Sequence, residues 1–154
     1  EGDGDGGASS QPSLDQLANA CAAADALGEE VRREMLAWFC NVTFAPYRHI
    51  FNPYGDGGSL ERTEVRYTWH RQALKKYAAR YPGVFPASWH MRCVLTIEFC
   101  KITRVHLAEI LQEAGRGESL QVAALTHALV KTIDFEKEMA SLFGEQAAQT
   151  ATAD

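Results

Sequence analysis

Residues 88–114 read SWHMRCVLTIEFCKITRVHLAEILQEA, and whether this run is one helix or begins as a strand decides the fold class. Leu95, Ile97 and Phe99 alternate with Thr96 and Glu98, the period-two pattern of a half-buried strand. Length favours the helix. It should start near Pro86 or Ser88 and run to about Ala114, where Gly115-Arg116-Gly117 stops it. On a helical wheel Val94, Leu95, Phe99, Ile102 and Val105 share one arc, and Ile97, Cys100, Leu107 and Leu111 form a second. A helix apolar on two sides is a central one, packed between neighbours.

The flanking segments supply those neighbours. From about Ser119 to Phe143, Val122, Leu125, Ala128, Leu129, Ile133, Phe135, Met139, Leu142 and Phe143 gather on one half of a wheel. Gly144 is placed to end that helix. Upstream, Ser59 is suited to cap a helix running to Tyr81, which Pro82-Gly83 closes. Its core stripe holds Leu60, Tyr67, His70, Leu74, Tyr77, Ala78 and Tyr81, with Trp69 on the far side. Asn52 to Gly58 (NPYGDGG) has turn composition, read as a loop of variable sequence. Before it, the pattern after Gly28 predicts a helix to about Asn41, which Pro46 separates from a short turn over Tyr47 to Phe51. Ser13-Leu14-Asp15-Gln16 has the form of a capping box opening a first helix. The expected fold is an all-α antiparallel bundle over residues 13–144, between a flexible acidic Gly-rich tail (1–12) and a flexible C-terminal tail (145–154).

Composition narrows the function classes. The chain has 154 residues and net charge −5, and its first 30 residues hold seven acids and no Lys or Arg. Neutralising phosphates needs a positive field, so sequence-independent nucleic-acid binding is disfavoured. No run approaches the 18 apolar residues of a membrane span. Cys21, Cys40, Cys93 and Cys100 lack close CxxC spacing and read as reduced thiols of the cytosol.

The sequence offers little catalytic chemistry. It has no nucleophile elbow, P-loop or dinucleotide fingerprint, so neither catalytic nor cofactor-binding residues are assigned. His90 and Cys93, or His106 and Glu109, could share a helix face. The Glu-x-x-His order of di-metal bundles and the CxxC spacing of structural zinc sites are both absent, so no metal ligands are assigned.

Two constellations remain. Arg62, Arg66, Arg71, Lys75, Lys76 and Arg80 face only Glu61 and Glu64 on one helix, a basic surface that could meet an acidic partner or a membrane. The favoured reading is that Trp69 packs against another helix beneath the basic stems. In the last helix Thr132 and Glu136 fall within the apolar half, where a carboxylate needs a partner, and Arg104 is the cation expected to latch it.

The residues also form a known pattern. Tyr47-Arg48-x-Ile50-Phe51 precedes the loop, and Leu60, Arg66-Tyr67-x-Trp69 and Leu74-x-x-Tyr77 follow it. Next come Phe85-Pro86-x-x-Trp89 and Phe99-Cys100-x-Ile102-Thr103-Arg104-x-x-Leu107. The last piece is Ala128-Leu129-x-x-Thr132-x-x-Phe135-Glu136-x-x-x-Ala140-x-x-Phe143. This order, from Val31 to Phe143, resembles the middle region of the vacuolar protein sorting-associated protein 53 family.

The resemblance implies a helical-rod subunit of the Golgi-associated retrograde protein (GARP) tethering complex, or of the related endosome-associated recycling complex. Such a subunit has no active site and needs no cofactor. It implies a cytoplasmic protein, peripheral at trans-Golgi network and endosome membranes, that works in retrograde transport with the other tether subunits, SNAREs and a Rab GTPase. Trp69, Trp89, Phe99, Phe135, Arg104 and Glu136 are the landmarks it marks as structural or interaction residues. The family's N-terminal coiled coil is not visible in Ala18 to Ala26, and the C-terminal rod is missing, which reads as a segment of a longer rod. Without the resemblance, a generic helical adaptor module or, less favoured, a small helical metal protein would stay open.

Overall fold

The computed structural model describes residues 12–116 and 121–151 of the chain, and among them every regular element is helical. The α-helices are α1 (Leu14–Ala26), α2 (Glu29–Ile50), α3 (Thr63–Arg80), α4 (Met91–Arg116) and α5 (Val122–Ala151). Short 3-10 turns, Leu60–Arg62 and Ala87–Trp89, lead into α3 and α4. The all-α reading holds. In α4, Leu95 and Phe99 are buried one turn apart while Ile97 is half exposed, so the local alternation belongs to two sides of one helix.

Local chemistry explains the boundaries. Ser13 Oγ accepts the Gln16 N–H at 3.2 Å and Gln16 Oε1 accepts the Ser13 N–H at 2.8 Å, a complete capping box on α1. Gly28 joins α1 to α2 at φ 110°, a conformation strained for any residue with a Cβ. Ser59 caps the turn before α3 through the Glu61 N–H at 3.2 Å. His90 takes a left-handed conformation (φ 45°) after the Ala87–Trp89 turn, so the central helix begins at Met91 and not at Pro86 or Ser88.

Two expected breaks are absent. α2 runs through Pro46, with no separate turn over Tyr47 to Phe51. Pro46 and Val42, whose carbonyl loses its i+4 donor, both lie on the exposed side of α2, which leaves that carbonyl on the side open to solvent. Phe44, Tyr47 and Phe51 bracket the proline on the buried side and hold the axis. α5 also continues past Gly144 to Ala151, because the Glu-Gln-Ala-Ala-Gln run after it is strongly helix-forming.

The core sits where α2, α3, α4 and α5 meet, with α1 packed on α2. Phe99 of α4 is its centre. His70 of α3 stacks on it at 4.3 Å between centroids, and Tyr47, Phe135 and Tyr67 surround it at 5.1, 5.7 and 6.1 Å. At one end Trp89 is buried and donates Nε1–H to Asp25 Oδ1 at 2.9 Å, tying the turn before α4 to α1.

Candidate interaction site

Arg66 organises the middle of the fold. Thr63 and His70 lie one turn to either side of it on the buried face of α3, and Arg66 itself is 0% exposed. Its guanidinium meets no carboxylate. One terminal nitrogen donates to Tyr47 Oη at 3.2 Å and to His106 Nδ1 at 3.3 Å; the other donates to the carbonyls of Phe51 and Gly57, both at 3.1 Å. The Phe51 ring lies 4.8 Å from the guanidinium carbon and the Tyr47 ring 5.9 Å, so aromatic faces share the charge.

The proton order follows from the donors. Arginine only donates, so His106 presents a bare Nδ1, and burial followed by the Arg66 charge pushes its pKa down. Tyr47 Oη accepts from Arg66 and shares a hydrogen bond with Thr103 Oγ1 at 2.7 Å. Through these bonds one side chain joins the C-terminal end of α2, the loop at residues 52–58, α3 and α4.

The loop is shaped to receive that arginine. A Cβ on Gly57 would stand 2.1 Å from the Ile50 carbonyl oxygen, and one on Gly58 would stand 1.9 Å from that of Pro53. The NPYGDGG segment is thus closely packed and not open to free variation at its last two glycines. Gly57→Ala forces the loop off Arg66 and is expected to cost about 1–3 kcal/mol, the usual range for overpacking. Urea denaturation checks this, and the Gly55→Ala control, where the nearest atoms are at 3.8 Å or more, should change much less.

The basic face read from the sequence shrinks accordingly. Arg66 is buried, Arg71 makes a forked pair with Glu138 (3.0 and 2.9 Å from Nε), and Glu64 takes Lys131 at 2.9 Å. These pairs hold both carboxyls below their ordinary pKa, chiefly through the hydrogen bonds. Trp69 is half-buried against Tyr47 and Phe44, at 5.0 and 5.9 Å, which agrees with the packed reading of that residue.

The Arg104–Glu136 latch is corrected. Both residues are exposed, and they make no ion pair with each other. Glu136 is near enough to Cys100 to help burial raise that thiol's pKa. Thr132 does have a buried-side partner: it donates to the Ala128 carbonyl at 2.8 Å and accepts from Tyr67 Oη at 2.7 Å. Phe135, beside it, stacks on Tyr67 at 4.3 Å. Of the landmark residues, Trp69, Trp89, Phe99 and Phe135 converge on the core, and Arg104 and Glu136 stay outside it.

His70 adds a titratable core group. Thr96 Oγ1 donates to the Arg92 carbonyl at 2.9 Å, so it accepts Nε2–H from His70 at 2.9 Å, and His70 Nδ1 is left without a partner. A proton on Nδ1 would be a buried orphan donor. Burial, followed by the Arg71 charge, pushes the His70 pKa down to about 4. Its stabilisation is complete above the unfolded value near 6.5 and is lost as pH falls toward 4. On the order of 3 kcal/mol should disappear across that window. Urea midpoints at pH 7.5 and 4.5 read the loss, and His70→Gln should flatten the dependence.

Among the described residues no three His, Cys, Asp or Glu side chains come together as a metal site. Sequence reasoning missed the buried Arg66–Tyr47 hydrogen bond. The available signal was register, since Arg66 is one turn from both Thr63 and His70.

Comparison with known proteins identifies the family. Residues 2–153 match the family model described as "Vps53, N-terminal". The chain is 37% identical over 131 residues to vacuolar protein sorting-associated protein 53 A of Arabidopsis thaliana, covering 85% of this chain and 15% of that protein. It is 32% identical over 133 residues to the Caenorhabditis elegans homolog, covering 86% and 16%. With the Saccharomyces cerevisiae protein the identity is 27% over 106 residues, covering 69% and 13%. The chain thus spans about one sixth or less of the length of these relatives. No solved structure matches it. Matched to that model over nearly all its residues, the chain belongs to the Vps53 family.

Proposed function

We propose that the chain is a segment of a subunit of a multisubunit vesicle-tethering complex, the Golgi-associated retrograde protein complex, acting in retrograde transport from endosomes to the trans-Golgi network. Membership of the Vps53 family is the observation that carries this reading. The geometry supports a role through shape, since Arg66, Tyr47, His70 and Tyr67 each hydrogen-bond to another helix or to the loop. Its partners in this reading are the other tether subunits, with SNAREs and a Rab GTPase engaged by the assembled complex. No helix among the described residues is long and apolar enough to cross a membrane, so membrane contact in this reading runs through the complex.

Affinity purification of the full-length protein tests this. The other tether subunits should co-purify in stoichiometric amounts, and depletion should delay the return of endosome-derived cargo to the trans-Golgi network. Stable complexes with unrelated clients and none with tether subunits would replace this reading with a generic adaptor.

A further inference from the structure

Between α2 and α4 runs an open groove of about 540 Å³. Leu36, Ala37, Cys40, Val94 and Ile97 give it an apolar floor, and Ile97 is 49% exposed although it belongs to the central helix. Three cations, Arg33, Arg48 and Lys101, stand on its rim. Glu98 is the carboxylate among the lining residues, and it is shared by Arg48 and Lys101, at 3.8 Å from each. Arg48 is also held in place by Asn41 Oδ1 at 2.9 Å. Arg33 bonds Glu30 in a pair so exposed that it contributes little and is readily exchanged.

We propose that this groove receives an amphipathic helix from another subunit of the complex, with apolar side chains at i, i+3 or i+4, and i+7, and carboxylates along its flanks. The proposal rests on the tether reading above. A groove between two helices has no free backbone edge to pair with a strand, whereas its side-chain ridges accept a third helix. The rim selects sign, because Arg33, Arg48 and Lys101 outnumber Glu98 and the Glu30 paired with Arg33, an excess of positive charge that favours an acidic partner. A second copy would set one cationic rim against another. The chain's own residues 1–11, EGDGDGGASSQ, carry three acids but no apolar side chain larger than alanine to fill the floor.

The test uses the full-length protein co-expressed with the other tether subunits, with Ile97 replaced by photoreactive benzoylphenylalanine. The cross-linked peptide is then identified by mass spectrometry. The expected product joins Ile97 to a helical segment of another subunit that has the stated apolar spacing and acidic flanks. Lys101→Glu alone should lower its yield several-fold, and Lys101→Glu with Arg48→Glu at least tenfold. Raising the salt concentration should act in the same direction. Cross-links to a second copy, to residues 1–11 or to a segment without carboxylates would overturn the proposal. So would the absence of any cross-link in a complex that has assembled, a result that leaves the tether reading intact. If the unmodified protein fails to bring down the other subunits, both readings fall.

Discussion

Arg66→Ala should lower the stability of the domain by about 3–5 kcal/mol, the combined cost of the cavity left by a large buried side chain and of several acceptors left unpaired. The melting temperature should fall by roughly 6–20 °C in a chain of this size. The guanidinium serves four acceptors on three other parts of the chain: Tyr47 Oη, His106 Nδ1 and the carbonyls of Phe51 and Gly57. Removing it leaves those groups enclosed without donors and opens a cavity between the Phe51 and Tyr47 rings. Arg66→Lys should recover little, because a single ammonium cannot span acceptors arranged for a planar fork. Arg66→Met separates volume from hydrogen bonding by filling the space and supplying no donor. Urea denaturation at pH 7.5 measures all three. A loss below 1 kcal/mol for Arg66→Ala would show that the loop and α2 hold their positions without the hub.

Phe99→Ala should cost about 3–5 kcal/mol, as expected for truncating a large ring at full burial. The ring is 0% exposed and meets aromatic groups from α2, α3 and α5, so no single neighbour can close the space left behind. Phe99→Leu should recover a large part of the loss, since it keeps much of the apolar volume. Ile97→Ala is the control on the same helix, and its half-exposed side chain should give about 1 kcal/mol or less. Hydrogen exchange supplies a second measurement. In Phe99→Ala, amides of α3 and α4 beside the ring should lose protection together, because both helices depend on the same packing contact.

The fold class was legible because it rests on period. Leu95 and Phe99, or Phe135 and Met139, recur one turn apart, and apolar recurrence survives most local irregularities. The breaks were less legible. Pro46 and Gly144 are both helix breakers by rule, and tertiary packing around Phe44 and Tyr47 in one case, and strong local propensity in the other, outweighs them.

The site was harder to read for a different reason. An arginine on a helix is ordinarily at the surface, so Arg66 was grouped with Arg62 and Lys76 as part of a basic face. What buries it is a set of backbone carbonyls presented by the 52–58 loop, and carbonyl directions leave no trace in residue identity. The same limit produced the Arg104–Glu136 pairing. Wheel positions give a helix's faces but not which neighbour covers each, and Thr132 found Tyr67 while Glu136 stayed exposed. The aromatic landmarks lie in or against the core. Trp69, Trp89, Phe99 and Phe135 are large, and large rings are buried wherever helices meet.

The central claim is that this segment serves the Vps53-family protein by holding a fixed helical shape, with Arg66 as its internal fastener. The most direct measurement is the recovery of the other tether subunits with full-length protein carrying Arg66→Ala, compared with the unmodified protein expressed at equal level. The account predicts that the variant loses most of those subunits and that cargo return to the trans-Golgi network slows with it. If the variant domain is destabilised but the complex still forms and cargo returns at the normal rate, the shape of this segment is not what the complex uses.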